Sequence, residues 1–240
     1  MPYYGYGYGY GMMFWDPTYF LIIIGAIISL IASARVNSTF RRYSGVRSMT
    51  GMTGAQAAME LLRSQGIYDV SVQPVRGQLT DHYDPRTKTV NLSEAVYNQT
   101  SVSAIGVAAH ECGHAIQDYV GYAPLRLRTA FVPVAQLGST LSWPIIIIGI
   151  LLGMSPFIEL GIWLFVLALL FQIITLPVEF NASSRAVRLL DERGILYGDE
   201  VRQTRKVLGA AALTYVAAVA VSLLQLLRLL ILFGGRRRHD

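Results

Sequence analysis

VAAHECGHAIQDYVG, residues 107–121, sets two histidines four positions apart and puts an acid directly after the first. An α-helix turns once per 3.6 residues, so His110 and His114 share one face if the stretch is helical, with Glu111 beside it. This is the H-E-x-x-H arrangement, in which two imidazoles hold zinc and the glutamate acts on water. With only four His and seven Glu in 240 residues, chance predicts about 0.002 occurrences. The bland alternative is a helix with two satisfied histidines. Ala108, Ala109 and Gly113 argue against it, because they keep bulk low around the ligand face, as a closely packed metal helix requires. Cys112 lies off that face and reads as a small buried apolar residue.

Working outward, the chain is 53% hydrophobic, and the apolar residues gather in long runs. The first, residues 17–34, carries no charge. Eighteen residues span roughly 27 Å as a helix, enough for a bilayer. No basic region precedes it, so it reads as a retained span rather than a signal peptide. Runs at 131–153 and 157–176 flank Met154-Ser155-Pro156, as in a helical hairpin, with Trp143-Pro144 expected to kink or interrupt the first. A last run covers 211–233; Arg228 within it is costly unless it snorkels or faces protein, so this segment either crosses or lies on the membrane surface. Glu159 is expected at the interface. Residues 1–16 are a Tyr/Gly-rich tail, and 234–240 a basic one.

The net charge is +5, but no basic stripe with interleaved aromatics appears, so nucleic acid is excluded as a partner. Arginines 35, 41, 42, 47, 126, 128, 185 and 188 flank the spans, whereas the 154–156 connection carries no Lys or Arg. The positive-inside rule then puts residues 35–130 and 177–210 in the cytoplasm and the N-terminus outside. The C-terminal RRRHD disagrees if four spans cross. A lone cysteine rules out an intramolecular disulfide.

Between the first two spans lies the catalytic region, 35–130. MTGAQAAMELLRSQGI reads as a helix with Thr53 as N-cap and Gly66 as its stop. DVSVQPV alternates like a strand, and QLTDHYDPRTKTVNLS reads as two strands turning at Asp84-Pro85-Arg86. The expected fold is therefore an α-helical integral membrane protein with a small α+β core beside the metal helix and about four transmembrane helices.

A hydrolytic zinc site takes a third protein ligand. His82 lies in the strand region and His239 in the tail. Glu60 reads as a solvated face, Glu94 follows a strand, Glu192 and Glu200 sit in a charged segment, and Glu159 is across the membrane. Glu179 stands out. It follows Pro177, expected in the first turn of a helix running through 177–210, and the hairpin returns it towards the metal helix.

LTDHYDPRTKTVNLSEAVYN, AIGVAAHECGHAIQ, GYAPLRLR, LPVEFNASSRA and AALTYVAA together resemble the YugP-like family of bacterial membrane zinc metallopeptidases. These are distantly similar to HtpX-like and CAAX-prenyl-type membrane proteases. The resemblance covers nearly all of the chain after the Tyr-Gly tail. It implies a zincin-type core held by membrane helices, one Zn2+ on His110, His114 and Glu179, and Glu111 as general acid/base. HtpX-like sequences tend to carry Asp four residues after the ligand Glu; here that position is Ser183, with Asn181 nearby.

The expected function is a membrane-bound zinc endopeptidase acting on a peptide or protein substrate, with His82 or Tyr83 as possible oxyanion or substrate donor. The expected partners are that substrate and the lipid bilayer. The rival is an adaptor or chaperone with a structural zinc and no turnover. A structural site would normally be closed by four protein ligands, and no obvious fourth is visible.

Overall fold

The computed structural model describes residues 16–77 and 79–234. The tail before Asp16 and the RRRHD end, with His239, lie outside them. Six helices and three strands follow in the order α1 (Tyr19–Ser44), α2 (Gly54–Ser64), β1 (Ser71–Val75), β2 (His82–Asp84), β3 (Thr89–Ser93), α3 (Val102–Tyr119), α4 (Ala123–Leu152), α5 (Ser155–Glu192) and α6 (Asp199–Phe233). Helices α1, α4, α5 and α6 are each long and apolar enough to cross a membrane. Leu30, Ile31, Leu151 and Trp163 are exposed on this bundle, as apolar side chains are when the solvent is lipid.

Within the bundle, α4 and α5 form the expected hairpin. Gly153 closes α4 with a left-handed φ of 66°. A Cβ on Gly138 would sit 2.5 Å from the Leu164 carbonyl oxygen, so the two backbones approach as small residues permit between membrane helices. Helix α4 runs through Pro133 and Pro144, so Trp143-Pro144 does not interrupt it.

Pro177 likewise lies inside α5 rather than in the first turn of a new helix. A single 38-residue helix therefore leaves the bundle and enters the extramembrane core. Proline fixes a helical φ and removes one N–H, which an interior helix tolerates where neighbouring helices hold it in place.

Helices α1 and α6 run antiparallel. Arg228 Nη2 donates to Asp16 Oδ2 at 2.9 Å, its Nε donates to Thr18 Oγ1 at 3.1 Å, and its guanidinium lies 4.5 Å from the Tyr19 ring centroid. The charge that made this last run ambiguous thus faces protein. The pairing also carries α6 the full length of α1, to the end where α1 begins. The start of α5 and the end of α6 share a cavity lined by Glu159, Trp163 and Leu230. The α4–α5 connection therefore sits at that same end, and the sheet and α3 at the other.

The extramembrane core gathers Leu61 and Leu62 of α2, Val90 and Leu92 of β3, Ile105 of α3, Leu190 of α5, and Ile195 and Leu196 beyond it. Thr53 caps α2 in a reciprocal box with Gln56, an interaction worth about 1 kcal/mol. Helix α2 ends at Ser64, two residues before Gly66, whose φ is +73°. The sheet order is β1-β3-β2, with β1 parallel and β2 antiparallel to β3. Strand β2 is therefore an edge.

Candidate active site

Helix α3 carries the histidine pair. Ser101 caps its start by accepting from the Ala104 N–H at 3.3 Å, and Gly121, with φ 62°, turns the chain after its end. Its two glycines are contact points. A Cβ on Gly113 would lie 2.6 Å from the Ala182 carbonyl oxygen, and one on Gly106 would lie 2.9 Å from Thr204 Cγ2. The bare Gly113 surface lets α3 rest on the α5 backbone between Glu179 and Arg185.

That contact brings the expected third acid to the pair. Glu179 Oε2 lies 3.3 Å from His110 Nε2 and 3.6 Å from His114 Nε2. The ligating atoms of the three residues all fall within 4.8 Å of one another. The two imidazole rings stand edge to face, 4.7 Å apart. Glu179 is 3% exposed, and its Oε2 has no hydrogen-bond partner. An orphaned buried carboxylate oxygen is costly unless a cation answers it. Tetrahedral zinc with ligand bonds near 2.0–2.1 Å separates its ligand atoms by about 3.3 Å, so the residues fit the ion.

The orientation of each imidazole is also set. Gln117 is fully buried and donates through Nε2 to the Val178 carbonyl at 2.8 Å and to Asn181 Oδ1 at 3.0 Å. Arg185 Nε donates to that same Asn181 oxygen at 2.7 Å. Gln117 must therefore turn its Oε1 to His114 Nδ1, 3.0 Å away. An acceptor there keeps the proton on Nδ1 and leaves the Nε2 lone pair pointing at Glu179, the tautomer a metal requires. Ser183 Oγ stands 3.1 Å from His110 Nδ1. Burial pulls the His114 pKa down, but Glu179, Glu111 and Gln117 outweigh it and raise the value.

Glu111 is buried beside the pair and accepts the Tyr83 backbone N–H through Oε2 at 3.0 Å. The outer side of edge strand β2 thus faces the glutamate. The strand is held there by Asp118, which accepts from the Tyr83 hydroxyl at 2.8 Å and from Lys88 Nζ at 2.7 Å. Burial raises the Asp118 pKa, yet the bonds from Lys88 and Tyr83 prevail and hold it below the ordinary range. The same carboxylate, added to burial, pushes the Tyr83 phenol up.

A cleft of about 710 Å³ opens over these groups, and His82, Tyr83, Arg128 and Tyr215 line it. Both ring nitrogens of His82 are engaged, Nδ1 with the Thr80 carbonyl at 2.8 Å and Nε2 with Asn91 Nδ2 at 3.3 Å. Arg128 Nη1 lies 3.7 Å from Glu179 Oε1. Cys112 points the other way, towards the Ala58 carbonyl at 3.5 Å, and burial raises its thiol pKa.

Sequence reasoning missed Gln117, Arg128 and Tyr215. Gln117 had a signal, since it stands three residues after His114 on the same helix face. Arg128 and Tyr215 lie in GYAPLRLR and AALTYVAA, two of the stretches that carry the resemblance, but nothing along the chain puts them at the cleft, which they reach from α4 and α6.

A family model described as "Putative neutral zinc metallopeptidase" matches residues 18–234. The chain belongs to this family. As a member of the zinc metallopeptidase family it takes Zn2+ as its cofactor, for which His110, His114 and Glu179 form a candidate site, and its four long apolar helices fit a membrane protein. It is also similar to "Putative membrane protease YugP" of Bacillus subtilis (strain 168), with 49% identity over 221 residues, covering 92% of this chain and 98% of that protein. No solved structure matches.

Proposed function

We propose that the protein is a membrane-bound zinc endopeptidase of the gluzincin type, in which His110, His114 and Glu179 hold the ion and Glu111 is the general base and acid. The observation that carries this reading is the unpartnered, buried Glu179 Oε2 lying 3.3 and 3.6 Å from two imidazole nitrogens, with Glu111 next to them. Zinc, when bound, supplies Lewis acidity at the scissile carbonyl and makes water a nucleophile near neutral pH. Glu111 takes the proton of the attacking water and returns it to the leaving amine. The Tyr83 N–H on Oε2 holds that carboxylate in place. Gln117 holds His114 in its ligating tautomer, and Ser183 braces the His110 ring.

The substrate main chain lies along the outer edge of β2, an added strand in a sequence-tolerant mode. The oxyanion donor comes from the cleft wall. His82, Tyr83, Arg128 and Tyr215 stand on that wall, and each already makes a polar contact, His82 with Thr80 and Asn91, Tyr83 with Asp118, and Arg128 and Tyr215 with Glu179. The cleft opens towards the cytoplasm, a sidedness supported by the arginines flanking the spans at the catalytic end.

Glu111→Gln separates catalysis from metal binding. The amide accepts no proton, while the three ligands stay intact. The purified variant is expected to keep its zinc and lose hydrolysis of a casein-type substrate by about 10²–10⁴-fold. Wild-type turnover at equal zinc content would remove Glu111 as base and leave the structural-zinc adaptor ahead.

A further inference from the structure

We propose that the groove between α1 and α6 at the catalytic end of the bundle is a binding site for the phosphate headgroup of an anionic phospholipid. The groove has a volume of about 500 Å³, and Arg35, Thr39, Arg42 and Tyr43 of α1 face Lys206 and Gly209 of α6 across it. Three cations line it and no acid does. Among the described residues, none of the three has a carboxylate partner. Arg42 is held over the Tyr43 ring, 5.7 Å from its centroid, and Tyr43 itself is buried. Nothing occupies the space beside the Gly209 Cα within 4 Å, so the floor of the groove is open at the level of the charges.

Two features favour a lipid over a free anion. The groove lies where the apolar spans end, the depth of a headgroup. Apolar faces then continue from it into the membrane. Ile31 and Ile27, four and eight residues before Arg35, are 62% and 49% exposed, and Leu213 and Val216, four and seven after Gly209, are each 40% exposed. Residues at these spacings share a helix face. A molecule with phosphate on the cations and acyl chains along these two stripes satisfies both surfaces at once, which an inorganic ion does not. Basic pockets between membrane helices take acidic headgroups for the same electrostatic reason.

The test is native mass spectrometry of the purified full-length protein, titrated in detergent with dioleoyl-phosphatidylglycerol or dioleoyl-phosphatidylcholine. The expected result is preferential retention of one phosphatidylglycerol. Arg35→Gln with Lys206→Gln should weaken it about thirtyfold. Gly209→Phe, which fills the groove without touching a charge, should weaken it as well. Arg41→Gln with Arg47→Gln removes two basic residues outside the groove and should leave it unchanged. Equal retention of both lipids, or equal losses in the two double variants, would overturn the site. Displacement by millimolar inorganic phosphate would reassign it to a simple anion. If the Arg35/Lys206 double variant fails to fold, the Gly209→Phe comparison decides alone.

Discussion

Gly113→Ala tests whether helix packing sets the metal geometry. The added Cβ would meet the Ala182 carbonyl oxygen at 2.6 Å and its Cα at 3.0 Å, whereas ordinary contact begins near 3.4 Å. Both atoms it meets are backbone, so no side chain can swing aside. Helices α3 and α5 must part by about 0.8 Å, the difference between 3.4 and 2.6 Å. The site straddles this joint, with His110 and His114 on one helix and Glu179, together with Ser183 behind His110, on the other. The Nε2–Oε2 separations, now 3.3 and 3.6 Å, would both widen away from the spacing of about 3.3 Å that tetrahedral zinc imposes. Overpacking costs about 1–3 kcal/mol. If zinc binding has to pull the helices back together, affinity falls about five- to 150-fold. Zinc affinity by chelator competition, with thermal unfolding in parallel, is the assay. Gly209→Ala is the control, because nothing lies within 4 Å of its added Cβ; it should keep zinc affinity and gain up to about 1 kcal/mol of helix stability. Wild-type zinc affinity in Gly113→Ala would refute the idea that this contact positions the ligands.

Gln117→Leu strands the His114 Nδ1 proton, and Ser183→Ala removes the partner of His110 Nδ1. Each should lower zinc affinity about 10–100-fold, and unchanged affinity in either would show that its partner does not orient the ring. Asp118 gives a pH signature. Its folded pKa is held below the unfolded value, so its contribution to stability is complete above the unfolded pKa and is lost as pH falls through the folded one. The difference in melting temperature between wild type and Asp118→Asn should therefore shrink as pH falls below about 4; a constant difference would mean that the Lys88–Asp118–Tyr83 cluster does not titrate as argued.

What the sequence determined is what depends on neighbours along the chain. Helical repeat alone puts His110, Glu111 and His114 on or beside one face, hydropathy alone marks the four long apolar runs, and Thr53 announces its cap. Glu179 was legible at one remove, because a hairpin must bring the residues that follow its second apolar run back to where it started. Local chemistry misjudged the prolines. In isolation Pro144 signals a kink or interruption and Pro177 the first turn of a new helix, but lateral packing of α4 and α5 outweighs a missing hydrogen bond and keeps both helices unbroken. The same is true of Arg228, whose cost depends on whether Asp16 and Thr18 lie opposite it.

The tertiary structure decided which groups complete the site. Gln117 was known to be on the histidine helix, but its amide is oriented by Val178 and Asn181 of α5, some sixty residues away in the chain. Arg128 and Tyr215 enter the cleft from α4 and α6, and Tyr83 meets Glu111 through a backbone N–H that no side-chain pattern encodes. Periodicity fixes the face a side chain occupies on its own helix; the identity of what stands opposite follows only from how the helices pack.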